Sequence, residues 1–174
     1  MMYKTRFKNY QSGATLAIAL ILLFVTTIVG VSTVQVANMQ ERMSHNTQDK
    51  MVAFEAAESA LLAGEAWLLN LSQYPLPSSS CSPHPCVLLL DPSLNISIQT
   101  ASWWQQNSAS YSGSFSSISA SPRYRIAFLR FVPDSPELGT NSPEGVYYYQ
   151  VTAFATGHTT SAVSLLQTTV ARRF

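Results

Sequence analysis

Residues 14–34 read ATLAIALILLFVTTIVGVSTV, 21 positions without a charge. As a helix rising 1.5 Å per residue, such a run covers roughly 30 Å, the thickness of a bilayer's hydrocarbon core. Thr26, Thr27, Ser32 and Thr33 within it can return their hydroxyls to helix carbonyls, so they do not spoil a span. Upstream lie Lys4, Arg6 and Lys8 with no acidic residue among them. The positive-inside rule therefore predicts a cytoplasmic N-terminus and an exported chain after about Gln35, with the protein single-pass in the inner membrane.

The apolar run is longer than the roughly 7–15 residues of a secretory signal, and Gln35-Val36-Ala37 is a poor small-x-small cleavage site. A lipoprotein signal needs a Cys at the end of the run, and none is there. Two readings remain. In one, Gln11-Ser12-Gly13-Ala14-Thr15-Leu16 is the end of a prepilin leader, a short basic segment closing on Gly before the apolar run. A peptidase at the membrane face must grip extended backbone closely, which a Gly permits. In the other, Gly13 only marks the start of an uncleaved anchor helix.

Downstream, no Pro occurs from Gln35 to Leu71. Met39, Met43, Ala53, Ala56, Ala57, Ala60, Leu61, Gly64, Trp67, Leu68 and Leu71 follow the i, i+3, i+4, i+7 recurrence of an amphipathic helix. Glu41, Arg42, Asp49, Lys50, Glu55, Glu58 and Glu65 fall mainly on other faces. One helix is predicted to run from the membrane to Leu71, roughly 85 Å if unbroken, and Pro75 and Pro77 end it. Its Ala- and Gly-rich stripe suits close packing on a sheet better than the larger a/d residues of a coiled-coil stalk. The expected organisation is a leader over 1–13, a membrane and assembly helix over 14–35, an amphipathic continuation over 36–71, and a periplasmic β domain over 72–174.

These segments resemble the PilX family of minor pilins of bacterial type IV pili. The resemblance rests on Gln11 to Leu16, Thr27 to Ser32, the Gln40-Glu41-Arg42-Met43 stretch and Ala53-Phe54-Glu55-Ala56-Ala57-Glu58. Weaker likeness continues at Pro122-Arg123-Tyr124-Arg125-Ile126 and Tyr149-Gln150-Val151-Thr152-Ala153. It implies a pilin-like α+β fold, cleavage by prepilin peptidase between Gly13 and Ala14, and N-methylation of Ala14 as the new N-terminus. It also implies other minor pilins, the major pilin and the inner-membrane assembly platform as partners, and a final place in the pilus at the cell surface. One departure stands out. Major pilins carry Glu at the fifth mature position, and here that position is Ile18.

After the helix, Leu94 to Gln99, Arg123 to Phe128, Val146 to Ala155 and Ala162 to Val170 alternate or are rich in β-branched and aromatic residues, predicting about four antiparallel strands. No βαβ alternation appears, so the class is α+β. Asn107 to Ser121 is Ser-rich and Pro133 to Gly145 carries Pro and acids; both are expected loops, open to a contact or adhesive role. Asp134, Glu137 and Glu144 do not have EF-hand spacing, so solvated charge is favoured over a calcium site.

Cys81-Ser82-Pro83-His84-Pro85-Cys86 is the sharpest local feature of this region. An oxidising compartment favours a Cys81–Cys86 disulfide. A zinc site using His84 would lack a fourth protein ligand, and no metal or other cofactor is expected.

The chain has 174 residues, 11% of them charged, and a formal net charge of +1. Without clustered Lys and Arg, nucleic acid is excluded as a partner. No nucleophile elbow, zinc-protease helix or phosphate loop is present. His45, His84 and His158 sit in no such motif, and a triad of some Ser with His158 and Asp134 is too easily invented among so many serines. No enzymatic activity is expected. A minor pilin acting in pilus assembly and its initiation, near the tip because Ile18 cannot pair a neighbour's terminal amine, is the leading expectation. A minor pseudopilin of a type II secretion system shares its N-terminal logic, and a single-pass membrane-anchored periplasmic binding protein is the rival from another class.

Overall fold

The structure, a computed structural model, describes residues 14–134 and 144–174. The leader expected over 1–13, with Gly13, lies outside the described residues, as does Glu137. In chain order come α1 (Ala14–Leu69), β1 (Val87–Leu89), α2 (Ala101–Asn107), β2 (Ala109–Ser110), β3 (Arg123–Pro133), β4 (Gly145–Thr156) and β5 (Val163–Arg172). Contacts divide the chain into two compact units, one ending at His45 and one beginning at Asn46.

In the first unit every described residue is helical and exposed. The hydroxyls of Thr26, Thr27, Ser32 and Thr33 donate to the carbonyls of Leu23, Phe24, Ile28 and Val29. Each of these four side chains is thus satisfied within the helix, as an apolar surrounding requires. α1 is long and apolar enough to cross a membrane.

In the second unit, the part of α1 from Ala53 onward lies on one face of a five-stranded sheet in the order β1-β3-β4-β5, with β2 pairing beside β3. Ala53, Ala56, Ala57, Ala60, Gly64 and Leu68 are buried, which is the i+3/i+4 stripe of a helix facing a partner. Small residues on that stripe let the two backbones approach. At Gly64 the approach is closest: a Cβ would sit 2.7 Å from Val151 Cγ1 and 2.9 Å from Tyr124 Cδ2. The sheet's side of the core is Tyr124 and Ile126 from β3 with Tyr149, Val151 and Ala153 from β4. Their alternation along the strands is the period-2 pattern of a half-buried sheet. The class is α+β.

Four details depart from the expectations. First, α1 ends at Leu69 rather than Leu71, and Leu71 N–H turns back to the Leu68 carbonyl at 3.4 Å. Second, the sheet is mixed rather than antiparallel, because β1 pairs parallel to β3, Val87 opposite Ile126. The long connection carrying α2 and β2 returns the chain in the same direction, as parallel pairing demands.

Third, Leu94 to Gln99 is not a strand but a 3₁₀ turn over Ile96–Ile98. The Asn95 carboxamide accepts from Ser97 N at 3.1 Å and Ser97 Oγ at 2.6 Å, a local alternative that outcompetes a ladder. Fourth, the Ser-rich stretch is not a plain loop. Asn107 closes α2, Ala109 and Ser110 form β2 against β3, and Ser119 Oγ donates to Thr156 Oγ1 at 2.7 Å.

Candidate functional site: an apolar helix and a clamped domain

Ala14 opens α1, and Ile18 is 57% exposed in a run of exposed apolar side chains that includes Leu16, Leu20 and Phe24. This surface has no charge to pair with anything polar. Its chemistry is fitted to lipid or to other apolar helices. Within the second unit, Met51, Phe54, Leu62 and Leu69 are also exposed on α1, leaving a face turned away from the sheet.

Two latches hold α1 to the sheet in that unit. At Asp49, the carboxylate accepts from His158 N–H at 2.6 Å and from the Thr159 hydroxyl, both in the β4–β5 turn. His158 Nδ1 lies 3.5 Å from the same carboxylate. Gly157 is required here, because a Cβ would collide with Asp49 Oδ1. Lys50 Nζ adds a bond to the Val163 carbonyl at 3.2 Å. At the other end, the Arg172 guanidinium donates to the carbonyls of Leu68, in the last turn of α1, and of Leu71, just beyond it. The hydroxyl of Thr159 donates to the carboxylate and not to the imidazole, so the Asp49–His158–Thr159 group fastens a turn and activates no nucleophile.

The Thr159 hydroxyl, followed by the His158 and Thr159 amides, holds the Asp49 carboxyl below its ordinary pKa of 3.8. A depressed carboxyl contributes stability that is complete above the ordinary value and is lost as pH falls through the folded one. Asp49→Asn is therefore expected to be less stable than wild type near neutrality, with the gap narrowing as pH falls below 3.8. Paired urea titrations at a series of pH values check this; a gap of constant size assigns Asp49 a purely steric role.

Cys81 and Cys86 are joined as a disulfide, with Cα atoms 5.9 Å apart, inside the usual span for such a bond. His84 lies beside them, and the three possible ligand atoms fall within 4.8 Å of one another. Three ligands fall short of a structural zinc site. Arg125 lines the cavity next to this loop, and its charge opposes a bound cation. Of the acids once grouped by sequence, Asp134 pairs with Arg173 at 2.9 Å and Glu144 meets it only through the backbone, Asp134 N–H to Glu144 carbonyl at 2.9 Å. Asp134 and His158 therefore have separate partners and form no dyad. A further cavity of about 390 Å³, lined by Ile98, Trp104, Phe154 and Leu165 among others, has no titratable group on its walls.

Sequence reasoning missed the Asp49 and Arg172 latches, which join residues more than 100 positions apart.

A family model described as PilX N-terminal matches residues 12–62, and one described as type IV pilus assembly protein PilX C-term matches residues 42–172. No curated protein and no solved structure matches the chain.

Proposed function

The chain belongs to the PilX family of type IV pilus assembly proteins, and from that premise we propose that it is a minor pilin that acts when a pilus is started. The observation that carries this is the exposed, uncharged helix surface from Ala14 to Val34, which has Ile18 where a shaft subunit would have a carboxylate. Such a surface is held in the bilayer before assembly and is transferred to a bundle of like helices during it. The partners are then other minor pilins, the major pilin, the assembly platform of the inner membrane and the lipid itself. The second unit lies in the periplasm, whose oxidising chemistry keeps Cys81 and Cys86 joined.

Processing is the step that separates a pilin from an ordinary anchored protein. Prepilin peptidase removes residues 1–13, leaving Ala14 as the N-terminus and site of methylation. Expressed with the peptidase, the chain is expected to lose the mass of that segment. A Gly13→Leu variant keeps it, because the side chain obstructs the extended backbone at the scissile bond. Alkylation before reduction, read in the same mass spectrum, is expected to leave both cysteines unlabelled. An intact leader in the presence of active peptidase overturns the proposal.

A further inference from the structure

The arginines of the second unit differ in what they hold. Arg123 donates to the carbonyls of Gln105 and Ser108 at 3.0 and 3.2 Å, Arg172 to the end of α1, and Arg173 to Asp134. Arg130 is exposed and lies over the Tyr148 ring at 5.1 Å. Arg125 is half-buried, its Nε is out of reach of solvent with no hydrogen-bond partner, and it is in none of the salt bridges among the described residues. Its guanidinium rests over the Trp103 ring at 5.4 Å, which fixes its plane without neutralising it. The nearby Asp91 carboxylate attracts it only through space, and accepts its hydrogen bonds from Ser93 instead, at 2.9 Å from the N–H and 2.6 Å from the hydroxyl. A guanidinium drawn partly out of water with an N–H left unbonded is costly unless something accepts from it.

Arg125 lines a cavity of about 210 Å³ between the disulfide loop and the end of α2. The other polar residues lining it are Ser79, Ser80, His84, Gln106 and Asn107, the last with its carboxamide nitrogen bonded to the Trp103 carbonyl at 2.9 Å. α2's last carbonyls, which would repel an anion, are occupied by Arg123. A guanidinium with a buried N–H left unbonded matches a carboxylate, and hydroxyl and amide walls match a ligand that carries hydroxyls of its own. The volume suits a unit the size of one sugar ring. We propose that this pocket binds an acidic sugar, with Arg125 on its carboxylate and the serine, glutamine and asparagine side chains on its ring hydroxyls. The disulfide loop forms one wall and holds Ser79 and Ser80 in place beside Arg125.

The test is calorimetric titration of the full-length chain in detergent with sodium glucuronate, sodium acetate, inorganic phosphate and glucose. Glucuronate is expected to bind more tightly than the other three. Arg125→Gln should weaken it about tenfold or more, since a charge-assisted contact is lost. Ser80→Ala, an exposed position whose truncation leaves the fold alone, should weaken it severalfold. Arg130→Gln, away from the pocket, should leave it unchanged. Glucose binding as well as glucuronate removes the carboxylate from the proposal and overturns it. Acetate or phosphate binding as well as glucuronate reduces the site to a general anion contact and overturns the sugar. Unchanged affinity in both Arg125→Gln and Ser80→Ala overturns the location.

Discussion

Replacing Trp104 with alanine is expected to lower the unfolding free energy by about 3–5 kcal/mol, the usual cost of deleting a large buried aromatic. Trp104 is fully buried, stacks on Phe154 with centroids 5.1 Å apart and planes 12° from parallel, and meets Trp103 edge-on. It is the only fully buried residue of α2, so it carries the attachment of that short helix to the outer face of the sheet. Seven residues cannot hold a helix by propensity alone. Loss of the ring should therefore release α2 and expose the Ser108 backbone beside it. Trp104→Phe keeps part of the stacked area and removes an indole N–H that has no partner, so its cost should be clearly smaller. Urea unfolding followed by the near-ultraviolet signal of the sheet tyrosines compares the two. Equal losses in both variants would show that the site tolerates no change of shape, against a role dominated by buried area.

Deleting the gene is expected to reduce the number of pili per cell sharply while leaving the structure of each shaft unchanged. In a pilus core, every processed subunit brings a charged terminal amine into apolar surroundings. An unpaired buried charge costs several kcal/mol, and each 1.4 kcal/mol is about a factor of ten. In the family's assembly logic a carboxylate at the fifth mature position faces the amine of a subunit already in place. Ile18 cannot do this. A subunit with Ile18 is poorly suited to repeated addition but acceptable at the tip, where no earlier amine awaits a partner. Labelled protein should then appear at pilus ends, and Ile18→Glu should spread some label along the shaft. The rival account, that Ile18 only eases membrane insertion, predicts no such spread. Wild-type label distributed evenly along shafts, or normal pilus numbers after deletion, would overturn the tip assignment.

The helix and the three long strands were legible in the sequence because each carries its own periodicity. The uncharged run of 14–34 and the spaced alanines to Leu68 need no distant partner to be recognised. Tyr124, Ile126, Tyr149 and Val151 alternate as strand residues do. What was missed is either too short for a period or decided by distant contacts. α2 has seven residues, two of them Trp, which are indifferent helix formers. β1 has three residues and exists because β3 lies beside it. Leu94 to Gln99 alternates as a strand would, yet one carboxamide at Asn95 folds it into a turn. The candidate sites divide likewise. The Cys81–Cys86 pair is visible in six residues of chain, whereas Arg125 gains its meaning from the pocket and the unbonded Nε that the fold gives it.

The alanine stripe of α1 has a consequence for the order in which the molecule can form. Its cover comes from the far end of the chain: Ala56 and Ala57 pack with Ala155 and Leu166, and Leu68 shares a cluster with Val151 and Val170. Synthesis delivers the stripe first and these strands last. Contacts so distant in sequence form slowly, since the loops between them must be closed before any contact rewards the closure. For most of the time a ribosome spends on the chain, the helix therefore presents a bare apolar edge with nothing of its own to lie against. A chain halted before Leu166 would have a nearly complete inventory of residues and an unfinished core. Nascent copies of this protein are thus natural clients for whatever shields apolar helices in the cell, and truncations within β5 should be far more damaging than their few residues suggest.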